Sequence, residues 1–244
     1  MISKHYGLLF ICLLGGLSIN SVVQARDYVY IMAGQSNMMG KGKTHAMPSH
    51  YKKTPHNVIF FYQGRPKQLA RYAHFGPEVS FAHTVSRARP HDRHIILKFV
   101  ATGSSIAQWQ PGGPLFKGLL AQKKLAGVAP DTPITAILWM QGESDARKKS
   151  SAIQYQGRLM RFIRALRVQL KSPNARFILG MINPEQAVFF MTSKVREAQR
   201  QVSLSLPNVR LVSTDSLSKI FDHIHYDTQG LLHLGRRFGQ AVFH

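Results

Sequence analysis

The stretch Ile31-Met32-Ala33-Gly34-Gln35-Ser36-Asn37-Met38-Met39-Gly40 decides how the rest of the chain is organised. It continues an apolar run that begins at Tyr28 and has the composition of a buried strand, and it then turns at small and polar residues. A serine at such a turn is commonly a cap for the helix that follows. It can also be a nucleophile, provided that the chain supplies a base, an acid that orients the base, and donors for an oxyanion.

Apolar runs separated by helical patterns recur along the whole chain. The runs are mostly unbroken, which is typical of strands that are covered on both faces. Their alternation with helices predicts an α/β fold with a mostly parallel sheet of about five strands. The strands are predicted at 28–32, 57–61, 95–100, 134–140 and 177–182, with a short run at 209–212, and the helices at 78–89, 115–126, 151–170, 189–204 and 228–242.

The N-terminal segment, residues 1–25, is predicted to be a cleaved secretory signal. Lys4 precedes an apolar run that is interrupted by two glycines, is too short for a membrane span and ends in small residues. A membrane anchor is the alternative interpretation. The remainder, residues 26–244, has no linker-like segment and is expected to form one domain. These features predict a secreted or periplasmic protein without stable membrane insertion after cleavage.

The composition limits the classes of partner and chemistry. The only cysteine, Cys12, lies in the predicted signal, so the mature chain has no thiol for a disulfide, a thiolate metal site or a cysteine nucleophile. The formal net charge of +21 favours encounters with anionic partners. The basic residues are scattered and no nucleic-acid-binding signature accompanies them. Adsorption to anionic polymers, or preference for an acidic glycan, is therefore favoured over nucleic-acid binding.

Polar groups follow several predicted strands, and the site of a parallel sheet lies at the carboxyl ends of its strands. Ser36 lies at the first of these ends, where helical N–H groups would favour negative charge. Gly103 follows the strand at 95–100 and would let a backbone N–H approach a reacting carbonyl, although it could be a simple turn glycine. Gln141-Gly142-Glu143-Ser144-Asp145 follows the strand at 134–140 with an amide and two carboxylates.

The segment before the last helix carries a carboxylate and a histidine. Asp222 lies three residues before His225, so it can accept a hydrogen bond from Nδ1 and leave Nε2 free to act as a base. A partly exposed loop histidine is the plainer alternative. His223 and His225 could also bind a metal, but no HExxH motif or carboxylate-rich partner set is present, and no metal is predicted.

These segments together resemble a known family. Gly34-Gln35-Ser36-Asn37-Met38, Gly76-Pro77-Glu78-Val79-Ser80-Phe81-Ala82, Gln141-Gly142-Glu143-Ser144-Asp145 and the pair Asp222 and His225 are similar to motifs of the carbohydrate esterases that include sialate O-acetylesterase and the acetylxylan esterases of family 6, within the SGNH hydrolases. The resemblance spans nearly the whole mature chain. It implies a three-layer, flavodoxin-like α/β/α sandwich and a serine esterase with no metal or organic cofactor.

The resemblance also implies a role for each matching residue. Ser36 would be the nucleophile, His225 the general base, and Asp222 the acid that orients the base. The oxyanion would receive backbone N–H groups from Ser36 and Gly103, and the side-chain amide of Gln141.

Three positions qualify this assignment. His223 stands where the family usually has a glycine and would place a bulky titratable ring beside the base. Thr102 precedes Gly103 where a second glycine is common, and it could narrow the cleft. Glu143 is an alternative to Asp222 as the orienting acid, because members of the family differ in the carboxylate that serves.

The predicted function is hydrolysis of O-acetyl esters on a carbohydrate, acidic or neutral, through an acetyl-serine intermediate. The sugar could belong to sialic acid, xylan or an envelope glycan. The alternative is a catalytically silent glycan- or envelope-binding protein on the same fold. Trp109 and the basic loop at 41–56 are candidates for contacts with the sugar, by ring stacking and by charge.

Overall fold

A computed structural model describes residues 25–243, so the predicted signal at 1–25 lies outside the described residues except for Ala25. No helix in the described range is long and apolar enough to cross a bilayer. The strands are β1 (Asp27–Gly34), β2 (Gly42–Lys43), β3 (Val58–Tyr62), β4 (Arg65–Lys67), β5 (His74–Phe75), β6 (Arg93–Val100), β7 (Ile134–Met140), β8 (Arg176–Gly180) and β9 (Val209–Val212). The α-helices are α1 (Ser36–Met39), α2 (Glu78–Ala88), α3 (Pro114–Leu125), α4 (Glu143–Ala146), α5 (Lys149–Gln169), α6 (Thr192–Ser205) and α7 (Thr228–Phe243).

The main sheet has seven strands in the order β4-β3-β6-β1-β7-β8-β9. All neighbouring pairs are parallel except β3 and β4, which are antiparallel. The prediction of a mostly parallel α/β sheet is confirmed. Strand β1 lies in the middle, and its last residue, Gly34, pairs with Val100 on one side and Met140 on the other. The segments that follow β1, β6 and β7 therefore begin next to one another at one edge of the sheet.

The predicted strand number, about five, is wrong because the sheet extends further at both edges. Strand β4 consists of two basic residues and a proline, Arg65-Pro66-Lys67, and no apolar run marks it in the sequence. This strand forms an exposed antiparallel edge, where one side of the backbone is open to solvent and burial imposes no hydrophobic pattern. At the other edge, the short run at 209–212 forms β9, which pairs in parallel with β8 over four residues. The two-residue strands β2 and β5 pair in a separate ribbon.

Helices cover both faces of the sheet, as in a three-layer sandwich. Helices α2 and α7 pack against each other on one face. On the other face, α3 and α5 contribute Phe116 and Phe162 to an aromatic cluster that includes Trp139 of β7. Trp109 is fully buried in this cluster, with its ring 5.1 Å from that of Trp139. Trp109 therefore belongs to the core and is not available to stack on a sugar.

Candidate active site

Ser36 is positioned directly by the central strand. The N–H of Gln35 donates to Met140 O at 3.0 Å, which extends the pairing of β1 with β7 to the residue before the serine. The chain then enters α1 at Ser36, whose side chain is almost fully buried. Its Oγ lies 2.9 Å from Nε2 of His225, a residue that is 189 positions away in the sequence.

Asp222 holds the His225 ring from the opposite side. Its Oδ2 lies 2.6 Å from His225 Nδ1, and its Oδ1 accepts the backbone N–H groups of Ile224 and His225, both at 2.9 Å. Partial burial alone would raise the pKa of Asp222, but these hydrogen bonds outweigh burial and lower that pKa to about 2. Because an ionised carboxylate only accepts, Nδ1 carries the ring proton, and Nε2 accepts the hydroxyl hydrogen of Ser36.

His223 adopts a left-handed backbone conformation, with φ of 54°. Glycine adopts this conformation at little cost, whereas another residue loses about 1–2 kcal/mol. The backbone here therefore suits the glycine that the resemblance implies at this position. The His223 ring is exposed, with Nδ1 3.5 Å from Glu185 Oε2, so it does not crowd the contact between His225 and Ser36.

The loop after β6 presents an open backbone N–H at the edge of the sheet where β1 also ends. Gly103 has φ of 71°, is exposed, and has nothing within 4 Å of the position a Cβ would occupy. The N–H groups of Gly103 and Ser36 have no hydrogen-bond partner among residues 25–243. Thr102 lies against α1, with its hydroxyl 3.5 Å from Met39 Sδ. Two backbone donors are therefore available at this edge of the sheet.

Gln141 has a different position from the one predicted for an oxyanion donor. It is fully buried, and its Nε2 donates to Ser104 O at 2.9 Å and to Asp145 Oδ2 at 2.6 Å. Both amide hydrogens are thus engaged, and neither is left for an oxyanion. Asp145 also accepts the Ile106 N–H at 2.9 Å, so these two residues fix the loop that contains Gly103. Burial raises the pKa of Asp145, although its hydrogen bonds oppose the shift.

Glu143 does not contact His225. It is buried, and its Oε1 accepts from Asn37 Nδ2 at 2.7 Å. Its Oε2 has no hydrogen-bond partner within the described part of the chain. Burial raises the pKa of Glu143, and the hydrogen bond from Asn37 only partly offsets that shift. The carboxylate that lies next to the imidazole is therefore that of Asp222.

Asn37 is a site residue to which the sequence pattern assigned no role. Besides its bond to Glu143, Nδ2 donates to Ile224 O at 3.1 Å, and Oδ1 accepts the Tyr226 N–H at 3.1 Å. These bonds flank His225 on both sides and tie its loop to α1. The position of Asn37 directly after Ser36, inside the motif, is the signal that could have indicated this role.

Between residues 25 and 243, no three His, Cys, Asp or Glu side chains are grouped so that they could hold a metal ion.

The sheet order, with helices on both faces, gives the three-layer α/β/α sandwich that the resemblance in the sequence predicted. The family model described as carbohydrate esterase, sialic acid-specific acetylesterase, matches residues 26–244, and the chain belongs to that family. The protein is therefore a carboxylic ester hydrolase.

Individual relatives agree with this assignment. A probable carbohydrate esterase from Arabidopsis thaliana is 27% identical over 243 residues, which is 88% of this chain and 90% of the relative. The X-ray structure of an Arabidopsis thaliana protein has a TM-score of 0.76 at 23% identity and covers 90% of this chain and 98% of its own. The crystal structure of NanS has a TM-score of 0.71 at 16% identity and covers 89% of this chain and 96% of its own. At such identities the structural likeness concerns the fold.

Proposed function

We propose that the protein is a serine esterase that removes O-acetyl groups from carbohydrates through an acetyl-serine intermediate. The observation that carries the proposal is the continuous hydrogen-bonded chain from Asp222 through His225 to Ser36. The family of carbohydrate acetylesterases supports the choice of an acetylated sugar as substrate.

In the proposed first step, Ser36 Oγ attacks the acetyl carbonyl carbon while His225 Nε2 takes the hydroxyl proton. The carbonyl oxygen becomes an oxyanion that accepts from the backbone N–H groups of Ser36 and Gly103. Collapse of this intermediate breaks the bond to the sugar oxygen, which leaves with the proton from His225. Water then attacks the acetyl-serine, His225 accepts its proton, and acetate is released with Ser36 restored.

A cavity of about 690 Å³ next to α1 supports a position for the sugar. Its lining begins with Met39, the last residue of α1, and continues with Gly40 and Lys41; Ile220 and Phe221, just before Asp222, lie on another side. The remaining walls are aromatic or charged: Phe60, Tyr62, Tyr72, Phe75, Lys43, Lys67, His74, and the paired Lys98 and Glu78. Aromatic side chains can pack against the apolar face of a sugar ring, and the lysines can attract the carboxylate of an acidic sugar.

Removing two cavity lysines is expected to weaken binding of acidic substrates selectively. Lys43 and Lys67 form no ion pair with a carboxylate among the described residues, so their charges are available to a ligand. The variant Lys43→Ala/Lys67→Ala should raise KM for an acetylated acidic sugar about 2–30-fold, and hardly change KM for an acetylated neutral sugar, since an exposed charge pair contributes about 0.2–1 kcal/mol. Steady-state kinetics at low and high salt measure this.

The control Lys124→Ala/Arg164→Ala removes the same charge from α3 and α5, outside the cavity. It should leave both KM values unchanged. An equal rise of KM in both variants would mean that only the overall charge matters.

The activity is expected to fall on acidification as a single-proton transition. The pKa of about 2 keeps Asp222 ionised far below neutral pH, so protonation of the base alone removes the activity. The lowered pKa also means that the ionised carboxylate stabilises the fold above about pH 4, a contribution that is lost only as the pH falls towards 2. Activity should therefore decline tenfold per pH unit while the protein stays folded. A hundredfold decline of activity per pH unit would contradict this scheme, as would unfolding over the same pH range as the loss of activity.

Released acetate is the measurement that tests the function itself. Residues 26–244 are incubated with acetylated sialic acid, acetylated xylan and acetylated envelope glycans, and acetate is quantified against a Ser36→Ala blank. Serine-dependent release from at least one glycan is expected. Binding of the glycans without any release would favour the catalytically silent alternative.

A further inference from the structure

Lys98 is a charged side chain in the middle of a buried strand. Its neighbours in β6 are apolar, its side chain is only 2% exposed, and the proposed reaction does not use it. Burying an ammonium is costly unless it is paired and hydrogen-bonded. The Nζ of Lys98 lies 2.6 Å from Glu78 Oε2 and donates to Met39 O at 2.9 Å. Met39 is the last residue of α1, the helix that begins at Ser36.

Glu78 extends this contact to the turn before α2. Its second oxygen, Oε1, accepts the Gly76 N–H at 3.0 Å. The Glu78 carboxylate thus joins Lys98 of β6 to the Gly76 turn, and Lys98 joins both to the end of α1. Burial lowers the pKa of Lys98, and the opposing charge of Glu78 counteracts that shift.

Two glycines bring these segments into backbone contact. A Cβ on Gly40, directly after α1, would come within 2.2 Å of Gly76 Cα. A Cβ on Gly76 would come within 2.6 Å of Glu78 Oε2 and 2.7 Å of Lys98 Nζ. The exit of α1 and the entry to α2 therefore meet directly around the ion pair, with no space for another side chain.

We propose that the Lys98–Glu78 pair is a positioning device for the nucleophile, and this inference rests on the proposed role of Ser36. Helix α1 has only four residues, and a helix of that length is not stable by itself. The carbonyl of its last residue has no intrahelical partner and needs an external donor. Lys98 supplies that donor from the strand next to β1, so the pair fixes the turn that carries Ser36 relative to the sheet.

The two charges can be removed together without leaving a buried unpaired charge. The variant Lys98→Met/Glu78→Met replaces the pair with apolar side chains, a change that is often neutral for stability in other proteins. We expect it to remain folded and to have a kcat on a simple acetyl ester about 10–100-fold below wild type, since a displacement of about 1 Å at a site can cost about 10²-fold. KM for this simple ester should stay within about threefold, because Lys98 and Glu78 line the cavity proposed for the sugar, and the simple ester has no sugar to bind there.

Lys123→Met is the matched control. Lys123 is also a buried lysine that donates to two backbone carbonyls, those of Pro130 and Thr132, but it lies on α3. Its replacement should lower the melting temperature and leave kcat unchanged. A loss of kcat in Lys123→Met equal to that in the double variant would show that activity follows general stability and would overturn the inference.

Labelling by a fluorophosphonate separates this inference from the proposed function. Failure of the reagent to modify Ser36 in the wild type would refute the proposed nucleophile. Modification of Ser36 at the same rate in wild type and the double variant, with equal kcat, would refute only the positioning role. If the double variant does not fold, Glu78→Gln, which keeps the shape of the side chain, must show a smaller loss of kcat and of labelling rate at an unchanged KM.

Discussion

Ser36→Ala is expected to lower kcat for a simple acetyl ester by about 10⁴–10⁶-fold, the range found when the nucleophile of a serine hydrolase is removed. The substitution deletes one oxygen and leaves the strand and helix around it unchanged. His225 Nε2 loses its partner, but the ring is partly exposed and can bond to water instead. The melting temperature should therefore change by no more than a few degrees.

Ser172→Ala is the control for losing a buried serine hydroxyl. Ser172 is 3% exposed, and its Oγ accepts the Ile134 N–H at the start of β7, the edge of the sheet opposite to Ser36. This change should cost about 1 kcal/mol or more of stability and leave kcat unaltered. Near-wild-type turnover by a folded Ser36→Ala protein would rule out the acetyl-serine mechanism.

Asp222→Asn is expected to reduce kcat by about 10³–10⁴-fold, because a neutral amide neither holds the ring in the required tautomer nor stabilises the imidazolium. Glu143→Gln should reduce kcat by less than about tenfold, since the amide oxygen can still accept from Asn37 and a buried carboxyl with a raised pKa resembles a neutral amide. Both variants keep the size and shape of the native side chain. Their kcat values, measured side by side at a pH above the acid limb, identify the orienting acid.

The reverse ranking would move the orienting role to Glu143. In that case the hydrogen bond of 2.6 Å between Asp222 and His225 would serve only to shape the loop. Melting temperatures of both variants show whether a loss of kcat reflects chemistry or unfolding.

The central part of the fold could be predicted from the sequence because its burial leaves a direct trace there. The run at 95–100 in β6 and the run at 134–140 in β7 are each interrupted by a single polar residue, and polar residues of the site follow each run. The order of β1, β6 and β7 in the sheet then brings those residues to one edge. Ser36 follows a predicted strand, and Asp222 and His225 precede the last predicted helix. These positions allowed the prediction that the three residues lie together.

Features that depend on distant partners could not be predicted in the same way. The side-chain amide of Gln141 donates to Asp145 and to the Ser104 carbonyl. No local sequence pattern indicates these hydrogen bonds. Strand β4, Arg65-Pro66-Lys67, can consist of basic residues and a proline because it lies at an edge of the sheet. Lys98 interrupts an apolar run, which was a usable signal, but its partner is 20 residues away on another element.

The separation of 189 residues between Ser36 and His225 has a consequence for the way the protein gains activity. All seven strands of the main sheet end by Val212, ahead of the loop that carries the proposed acid and base. During synthesis from the N-terminus, the proposed nucleophile is therefore made long before the proposed base. A contact of such long range forms late in folding. Hydrolysis is thus expected to begin only after the loop at 222–225 has been made and has docked on the sheet, so that enzymatic activity reports completed folding of the sheet and this loop better than strand content does.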